Sequence, residues 1–224
     1  DRAKFVMVEE PENHLSHTSL ATLISRMQDL AGDQQQLFIT THSSFVLNRL
    51  GLSSLLLIGA SAAPRIPELR KDTVTYFQKL PGYDTLRLAL ADKIVLVEGA
   101  SDEIIFERIF VDLYQRRPIE LGIDVISMRG LSAARALELC KALDKRVAAI
   151  RDNDGIDAED LRKPLDEFLE TGKRELFVGQ VEHGRTLEPQ IVHFNGEDKV
   201  RRMLGITLRA NLATWMEREK TEAA

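Results

Sequence analysis

The chain has 224 residues, which is long enough for one large domain or two small ones. Its composition, 44% hydrophobic and 29% charged, is ordinary for a globular protein, and no apolar run approaches the ~20 residues needed to cross a bilayer. The net charge of −5 argues weakly against nucleic acid as a partner. Basic residues nevertheless cluster at 141–146 and 199–209, so the net charge can mislead.

The single cysteine, Cys140, excludes an internal disulfide and suits a reducing cytoplasm. It lies at helical spacing in ARALELCKAL, which favours a small core residue over a nucleophile. Residues 1–10, DRAKFVMVEE, lack an initiator Met and the charged-then-apolar layout of a signal peptide. We therefore expect a piece of a longer cytoplasmic protein.

Residues 1–90 predict a first α/β segment. KFVMVEE suits a short buried strand, a helix is expected from about Leu15 to Leu30, and QLFITTHSS suits a second strand. SLLLIGA and TVTYFQKL are further strand candidates, separated by the Pro-containing loop ASAAPRIPELRKD.

Residues 91–186 predict a second segment in which strands and helices alternate. The strands are KIVLVEG, IDVISMRG, RVAAIRDNDG and ELFVG, and the helices between them are DEIIFERIFVDLYQRR, SAARALELCKALDK and AEDLRKPLDEFLETG. Apolar strands alternating with helices indicate a parallel sheet covered on both faces. Residues 187–224 predict a helical, basic extension.

Acidic residues stand at the carboxyl ends of two of these strands. Glu98 ends IVLVE, with Asp102 in the first turn of the next helix, and Asp152 and Asp154 end VAAIRDND. A two-residue spacing points both aspartates to one side of an extended chain, and ligands of parallel sheets bind at strand carboxyl ends. If the strands are neighbours, these carboxylates converge in one crevice.

Carboxylates held close together repel, and a divalent cation removes that cost. All-oxygen ligands suit Mg²⁺ or Mn²⁺, and two such ions can stabilise the attacking and leaving oxygens of a phosphodiester. The alternative is structural: Asp102 caps a helix, while Asp152 and Asp154 form a turn. A strand-end Glu combined with a strand-end D-x-D favours the metal site.

VLVEGASDE followed by IRDNDG resembles the Toprim domain of type IA and type II topoisomerases, bacterial primases and some nucleases. The resemblance covers roughly residues 90–195. It implies a parallel sheet between helices, with Glu98, Asp152 and Asp154 as the acidic set. Asp102 stands where nuclease-type members also carry an acid.

FVMVEEPENHLSH resembles the Walker B and D-loop region of ABC-type ATPases, and LFITTHSSFVLN resembles their switch strand. The resemblance implies that Glu9 helps hold Mg²⁺, that Glu10 orients the attacking water and that His42 is the switch histidine. The alternative is a capped strand-to-helix turn. Because the chain contains no G-x-x-x-x-G-K-[ST] phosphate loop, we expect it neither to bind nor to hydrolyse ATP by itself.

An ATPase tail running into a Toprim domain resembles the carboxy-terminal region of the OLD (overcoming lysogenization defect) family of nucleases. The resemblance adds Glu188 in GRTLEPQI as a further metal ligand and Lys220 in EREKTEAA as a catalytic lysine. Their alternatives are a helix-start acid and a solvated lysine. Glu103, Glu182 and His183 lie near the predicted site, and their membership stays open.

The function expected from this resemblance is a two-metal DNA endonuclease involved in phage defence. Lys220, Glu98 and Asp152 are its expected catalytic residues, and its expected metal ligands are Glu98, Asp102, Asp152, Asp154 and Glu188. The expected cofactor is Mg²⁺ or Mn²⁺, with Ca²⁺ as a further candidate.

The expected partners are DNA, a second copy in the full-length protein and a helicase-type protein, with no membrane. Two alternatives stay open, a topoisomerase- or primase-like protein and a non-catalytic regulatory or dimerisation module of an ATPase. A topoisomerase needs a catalytic tyrosine, and the three tyrosines lack a supporting domain. A primase needs a zinc module, which one cysteine cannot supply.

Overall fold

A computed structural model describes residues 5–30, 35–50, 54–56, 58, 69–79, 83–128, 131–207 and 211–219. The chain divides into two compact units, residues 1–87 and 88–224. Both contain parallel strands with helices between them, so the α/β fold class predicted from the sequence is confirmed.

The first unit contains a β-α-β arrangement. Strand β1 (Phe5–Glu9) pairs in parallel with β2 (Gln36–Thr40), from Phe5↔Gln36 to Glu9↔Thr40. Helix α1 (His17–Leu30) connects the two strands, and α2 (Ser44–Leu50) follows β2. The two helices form a small core with Ile39 of β2, because apolar residues at helical spacing point to one side; its buried members are Leu20, Ile24 and Val46.

The burial expected for β1 was wrong. Phe5 is 62% exposed and Met7 is 80% exposed. Among the described residues β1 pairs only with β2, so the two-stranded sheet has little to cover its apolar side chains.

A second correction concerns TVTYFQKL, which forms helix α3 (Lys71–Lys79) rather than a strand. Thr73 and Phe77 are 0% and 1% exposed and lie four residues apart, which places both on one helical face. Of the strand candidate SLLLIGA, the structure describes 54–56 and 58, where Leu56 makes a single bridge and no strand is assigned. The other residues of that candidate lie outside the described part of the chain.

The second unit contains a four-stranded parallel sheet. Helix α4 (Tyr83–Leu90), which spans the boundary between the units, leads into it. The strands are β3 (Lys93–Val97), β4 (Ile123–Ser127), β5 (Arg146–Arg151) and β6 (Arg174–Val178), in the spatial order β4-β3-β5-β6. The four predicted strands of this segment are therefore confirmed.

Both faces of this sheet are buried at β3. Val95 and Val97 pack on one face with Phe106 of helix α5 (Ala100–Tyr114), while Ile94 and Leu96 occupy the other. Successive strand residues point to opposite faces, so this uninterrupted apolar run is what a doubly covered strand requires. Helix α6 (Ala133–Ala142) connects β4 to β5 and contains Cys140, which is 0% exposed as the core assignment predicted.

The helix predicted after β5 is shorter than expected. Helix α7 (Ala158–Arg162) ends after five residues, and a 3₁₀ turn, Lys163–Leu165, replaces its continuation. Pro164 explains the change, because proline has no N–H to donate to the helical ladder.

In the described part of the chain, three short α-helices follow β6. They are α8 (Leu187–Asn195), α9 (Glu197–Leu204) and α10 (Leu212–Arg218), and they enclose a cluster of buried side chains, Val200, Leu212 and Met216. Within the described part of the chain, no helix has both the length and the apolar character needed to cross a membrane.

Candidate metal centre

Two neighbouring strands of the second unit end where the order of the connections reverses. The chain leaves β3 through α5 toward β4 on one side, and it leaves β5 through α7 toward β6 on the other. In open parallel sheets such a reversal leaves a crevice at the carboxyl ends of the strands, where ligands bind. Glu98 follows β3 directly and Asp152 follows β5 directly, so both carboxylates stand at this crevice.

The turn from β3 into α5 carries Glu98 and Asp102. Gly99 is the N-cap residue, and its backbone N–H donates to Asp102 Oδ2 at 2.9 Å. This contact satisfies an N–H at the helix start, where a negative charge is also favoured by the helix dipole. Asp102 therefore caps α5, as the structural alternative predicted, and it lines the crevice as well.

The turn after β5 presents Asp152 and Asp154 by a different geometry from the one predicted. The strand ends at Arg151, and Asp154 and Gly155 adopt left-handed backbone angles with φ of 51° and 85°. The two aspartates therefore reach the crevice through a tight turn and not from one side of an extended strand. The N–H of Asp152 donates to Glu98 Oε2 at 2.9 Å, which joins the ends of β5 and β3.

Glu188 enters the crevice from the first turn of α8. It is 4% exposed, which is rare for a carboxylate without a partner. Its Oε2 atom is buried and has no hydrogen-bond partner among the residues that the structure describes. An orphaned buried acceptor of this kind indicates a position where a ligand or an ion is needed.

These acids line one cavity of about 360 Å³ together with Gly99, Ala100, Ser101, Thr186 and Leu187. The structure thus brings together all five residues that were expected to bind metal: Glu98, Asp102, Asp152, Asp154 and Glu188. Lys220, expected to be catalytic, lies outside the described residues.

Burial and neighbouring negative charges raise the pKa of two of these carboxyl groups. Burial raises the pKa of Asp152 to about 7, and the charges of Asp102, Glu98, Glu188 and Asp154 add to the effect. Burial also raises the pKa of Asp102, with further increases from Glu98 and Glu188, while the hydrogen bond from Gly99 opposes the shift. Raised carboxyl pKa values in a cleft are a frequent mark of functional sites.

The chemistry of this donor set fits a hard divalent cation, because all its ligand atoms are oxygens. Within the described ranges, however, no three acidic, histidine or cysteine side chains are grouped closely enough to hold one ion. The five carboxylates share a cavity, and ligation would require some of their side chains to turn toward a common point.

Asn153 and Arg151 belong to this region but were not singled out in the sequence. Asn153, which stands between the two aspartates in the sequence, is completely buried, and Arg151 Nη2 lies 3.7 Å from Asp154 Oδ2. Asn before Asp-Gly is a turn signal that could have identified the tight bend. No sequence pattern would have indicated its burial.

Three residues were left open by the sequence, and none of them is among the described residues that line the cavity: Glu103, Glu182 and His183. Glu103 lies in the first turn of α5, and Glu182 is exposed in the 3₁₀ turn Val181–His183 after β6. The ring of His183 stacks on that of His193 with centroids 4.3 Å apart.

The ATPase-like residues lie in the first unit. Glu9 ends β1 and is exposed, and Glu10 Oε1 lies 3.5 Å from His42 Nε2. Glu12, which the sequence analysis did not single out, accepts hydrogen bonds from the Thr41 hydroxyl at 2.7 Å and the His42 N–H at 2.9 Å. Burial opposes ionisation of Glu12, but these hydrogen bonds prevail and lower its pKa.

Two family matches agree with these arrangements. Residues 90–154 match the family described as overcoming lysogenization defect protein-like, TOPRIM domain. Residues 1–48 match a family of AAA domains whose description names the AbiEii toxin of type IV TA systems. No curated protein matches the chain. The first match ends at Asp154 and therefore does not include Glu188.

Proposed function

We propose that this chain, an OLD-family protein in which an OLD-like Toprim domain follows an AAA-type ATPase segment in the sequence, is a metal-dependent endonuclease that cleaves DNA phosphodiester bonds. The observation that carries the proposal is the convergence of five carboxylates in one cavity at the sheet's switch point. The buried, unpartnered Oε2 of Glu188 supports it, since a buried acceptor without a partner is costly.

Two divalent cations are the proposed cofactor, Mg²⁺ or Mn²⁺, with Ca²⁺ as a further candidate. The residues proposed to hold them are Glu98, Asp102, Asp152, Asp154 and Glu188. Bound there, the ions would supply Lewis-acid stabilisation of the cleaved phosphate and would lower the pKa of an attacking water.

The carboxylates themselves would position and exchange protons. Glu98 is held in place by the N–H of Asp152, which fixes one oxygen at the end of β3. The Asp152 carboxyl, with its pKa raised to about 7, exchanges its proton near neutral pH in the metal-free protein. Metal ligands must be deprotonated, so cation binding below pH 7 would release that proton.

A structural observation supports the ATPase segment, whereas the dimer and the helicase-type partner have no such observation behind them. The proximity of Glu10 and His42 is compatible with an ATPase catalytic region whose phosphate loop this sequence does not contain. The homodimer, the helicase-type partner and the role in phage defence rest on the family relation alone.

A plasmid assay tests the proposed activity. Supercoiled DNA incubated with the protein and Mg²⁺, Mn²⁺ or Ca²⁺ is expected to become nicked and then linear, and excess EDTA is expected to stop both conversions. An Asp152→Ala preparation purified in parallel controls for contaminating nucleases. Cleavage that continues undiminished in EDTA would overturn the proposal.

Lys220 is the proposed donor of positive charge to the phosphate in the transition state. Lys220→Ala is expected to slow single-turnover cleavage by about 10²-fold, by analogy with the loss of one oxyanion donor, with little change in DNA affinity. If Lys220 is instead a surface contact to phosphate, binding would weaken, its salt dependence would become shallower, and cleavage at saturating protein would stay normal. Single-turnover rates and binding isotherms at several salt concentrations separate the two roles.

A further inference from the structure

Asn153 is a fully buried amide in the turn that follows β5. Its relative exposure is 0%, and both the nitrogen and the oxygen of its side-chain amide form hydrogen bonds. The amide nitrogen donates to the backbone oxygen of Gly184 at 2.7 Å and to that of Gly179 at 3.1 Å. The amide oxygen accepts the N–H of Gly155 at 2.8 Å. Both polar atoms of this side chain are therefore committed.

These bonds join two separate segments of the cavity wall. The oxygen end closes the turn that carries Asp152 and Asp154. The nitrogen end holds the chain between β6 and α8, which leads within a few residues to Glu188. A third bond between the same segments runs from the N–H of Asp154 to the oxygen of Arg185 at 3.1 Å.

We propose that Asn153 is a positioning residue of the metal site, locking the Asp152–Asp154 turn onto the segment that carries Glu188. The inference rests on the proposed function in that it takes these carboxylates as metal ligands. Groups that orient metal ligands without touching the metal change metal affinity or activity by about 10–100-fold when removed. Asn153 does this for ligands from two segments more than thirty residues apart, Asp152 and Asp154 on one and Glu188 on the other.

Asn153 fits this role because no simpler side chain makes the same contacts. An aspartate in its place has no donor for two carbonyl oxygens, and it would add a further buried charge beside Asp152 and Asp154. An apolar residue would leave the oxygen of Gly179 without its Asn153 partner. Gly184 would keep only the weaker bond from Gln190, at 3.3 Å.

The test measures Mn²⁺ binding by electron paramagnetic resonance, which needs no DNA and no cleavage. Asn153→Ala removes all three bonds, and Asn153→Ser, with a smaller loss of packing, serves if the alanine variant is poorly folded. Val147→Ala is the matched control, since Val147 is also buried and lies near the opposite end of β5, roughly 13 Å along the strand from Arg151, where the turn begins. Thermal unfolding without metal measures the fold of each variant.

Asn153→Ala is expected to bind Mn²⁺ at least about tenfold more weakly than the parent, and Val147→Ala is expected to keep the parental affinity even where its Tm falls equally. A folded Asn153→Ala or Asn153→Ser variant with the parental Mn²⁺ affinity would overturn the inference about Asn153 but would not contradict the proposed metal site. An equal loss in Val147→Ala would also overturn it, because the effect would then be one of general stability. A parent chain that binds no Mn²⁺ would overturn the metal site itself, and the inference with it.

Discussion

Asp152→Ala is expected to abolish DNA cleavage and, in the absence of metal, to make the protein more stable at pH 8. Cleavage fails because the variant lacks one of the proposed metal ligands, the carboxylate whose pKa all four other acids affect. Stability rises because the folded chain buries this carboxylate and surrounds it with like charges, and the unfolded chain does neither.

The pH dependence of this effect has a definite sign. The pKa of Asp152 is raised from 3.8 to about 7 on folding, so between these values the folded state holds a proton that the unfolded state has lost. The metal-free parent therefore loses stability as the pH rises through this window, and the loss is complete above pH 7. The alanine variant has no carboxyl group at position 152 and therefore does not lose this part of its stability.

Plasmid cleavage with Mn²⁺ and thermal unfolding in EDTA at pH 5 and pH 8 check both parts. The difference in Tm between variant and parent is expected to increase in favour of the variant from pH 5 to pH 8, by several degrees. Asp157→Ala is a suitable control, because Asp157 is an exposed acid five residues away that makes no side-chain cap contact with α7. A variant that cuts like the parent would remove Asp152 from the site.

Glu188→Gln is expected to reduce cleavage at low Mn²⁺ by more than about 100-fold. Removing a residue that only orients a metal ligand lowers metal affinity or activity by about 10–100-fold, so removing a direct ligand is expected to cause a larger loss. The substitution keeps the shape of a side chain that is 4% exposed, and it removes only the charge and one acceptor. Raising the Mn²⁺ concentration is expected to restore part of the rate, because the four other carboxylates remain.

Glu182→Gln is the matched control for this experiment. Glu182 is the same residue type six positions earlier, but it is exposed and does not line the cavity. A metal titration of the cleavage rate for both variants distinguishes a ligand from a general charge effect. Equal behaviour of the two variants would contradict the assignment of Glu188.

The strands and helices of the second unit were predictable because their apolar pattern is uninterrupted. Ile94 to Val97 are all buried, which only a strand covered on both faces can achieve, and the sequence shows this directly. Helix α3 was mispredicted because Thr73, Val74 and Thr75 are β-branched, and local preference favoured a strand. The buried pair Thr73 and Phe77 gives helical packing instead, and tertiary contacts overrode propensity.

The part of the candidate site that could be predicted consists of the residues that directly follow the ends of strands. Glu98 and Asp152 could be placed in one crevice from topology alone, since β3 and β5 are neighbours with diverging connections. Glu188 could not be placed in this way, because its position depends on the path of the chain between β6 and α8, which brings the first turn of α8 to the cavity. The tight turn at Asp154 could have been identified from Asn153 before Asp-Gly, but the buried bonds of Asn153 could not, since they depend on contacts with a segment about thirty residues away.

The burial of Cys140 makes this protein convenient for site-directed labelling. Burial raises the pKa of its thiol to about 12, so at neutral pH it forms about three orders of magnitude less of the reactive thiolate than an ordinary exposed cysteine. Because the sequence has no other cysteine, one introduced on the surface would be the sole site of attachment for a maleimide dye or spin label. Pairs of such probes on α5 and α8, whose first turns line the cavity, could report how its two sides move when Mn²⁺ is added, without any replacement of the native thiol.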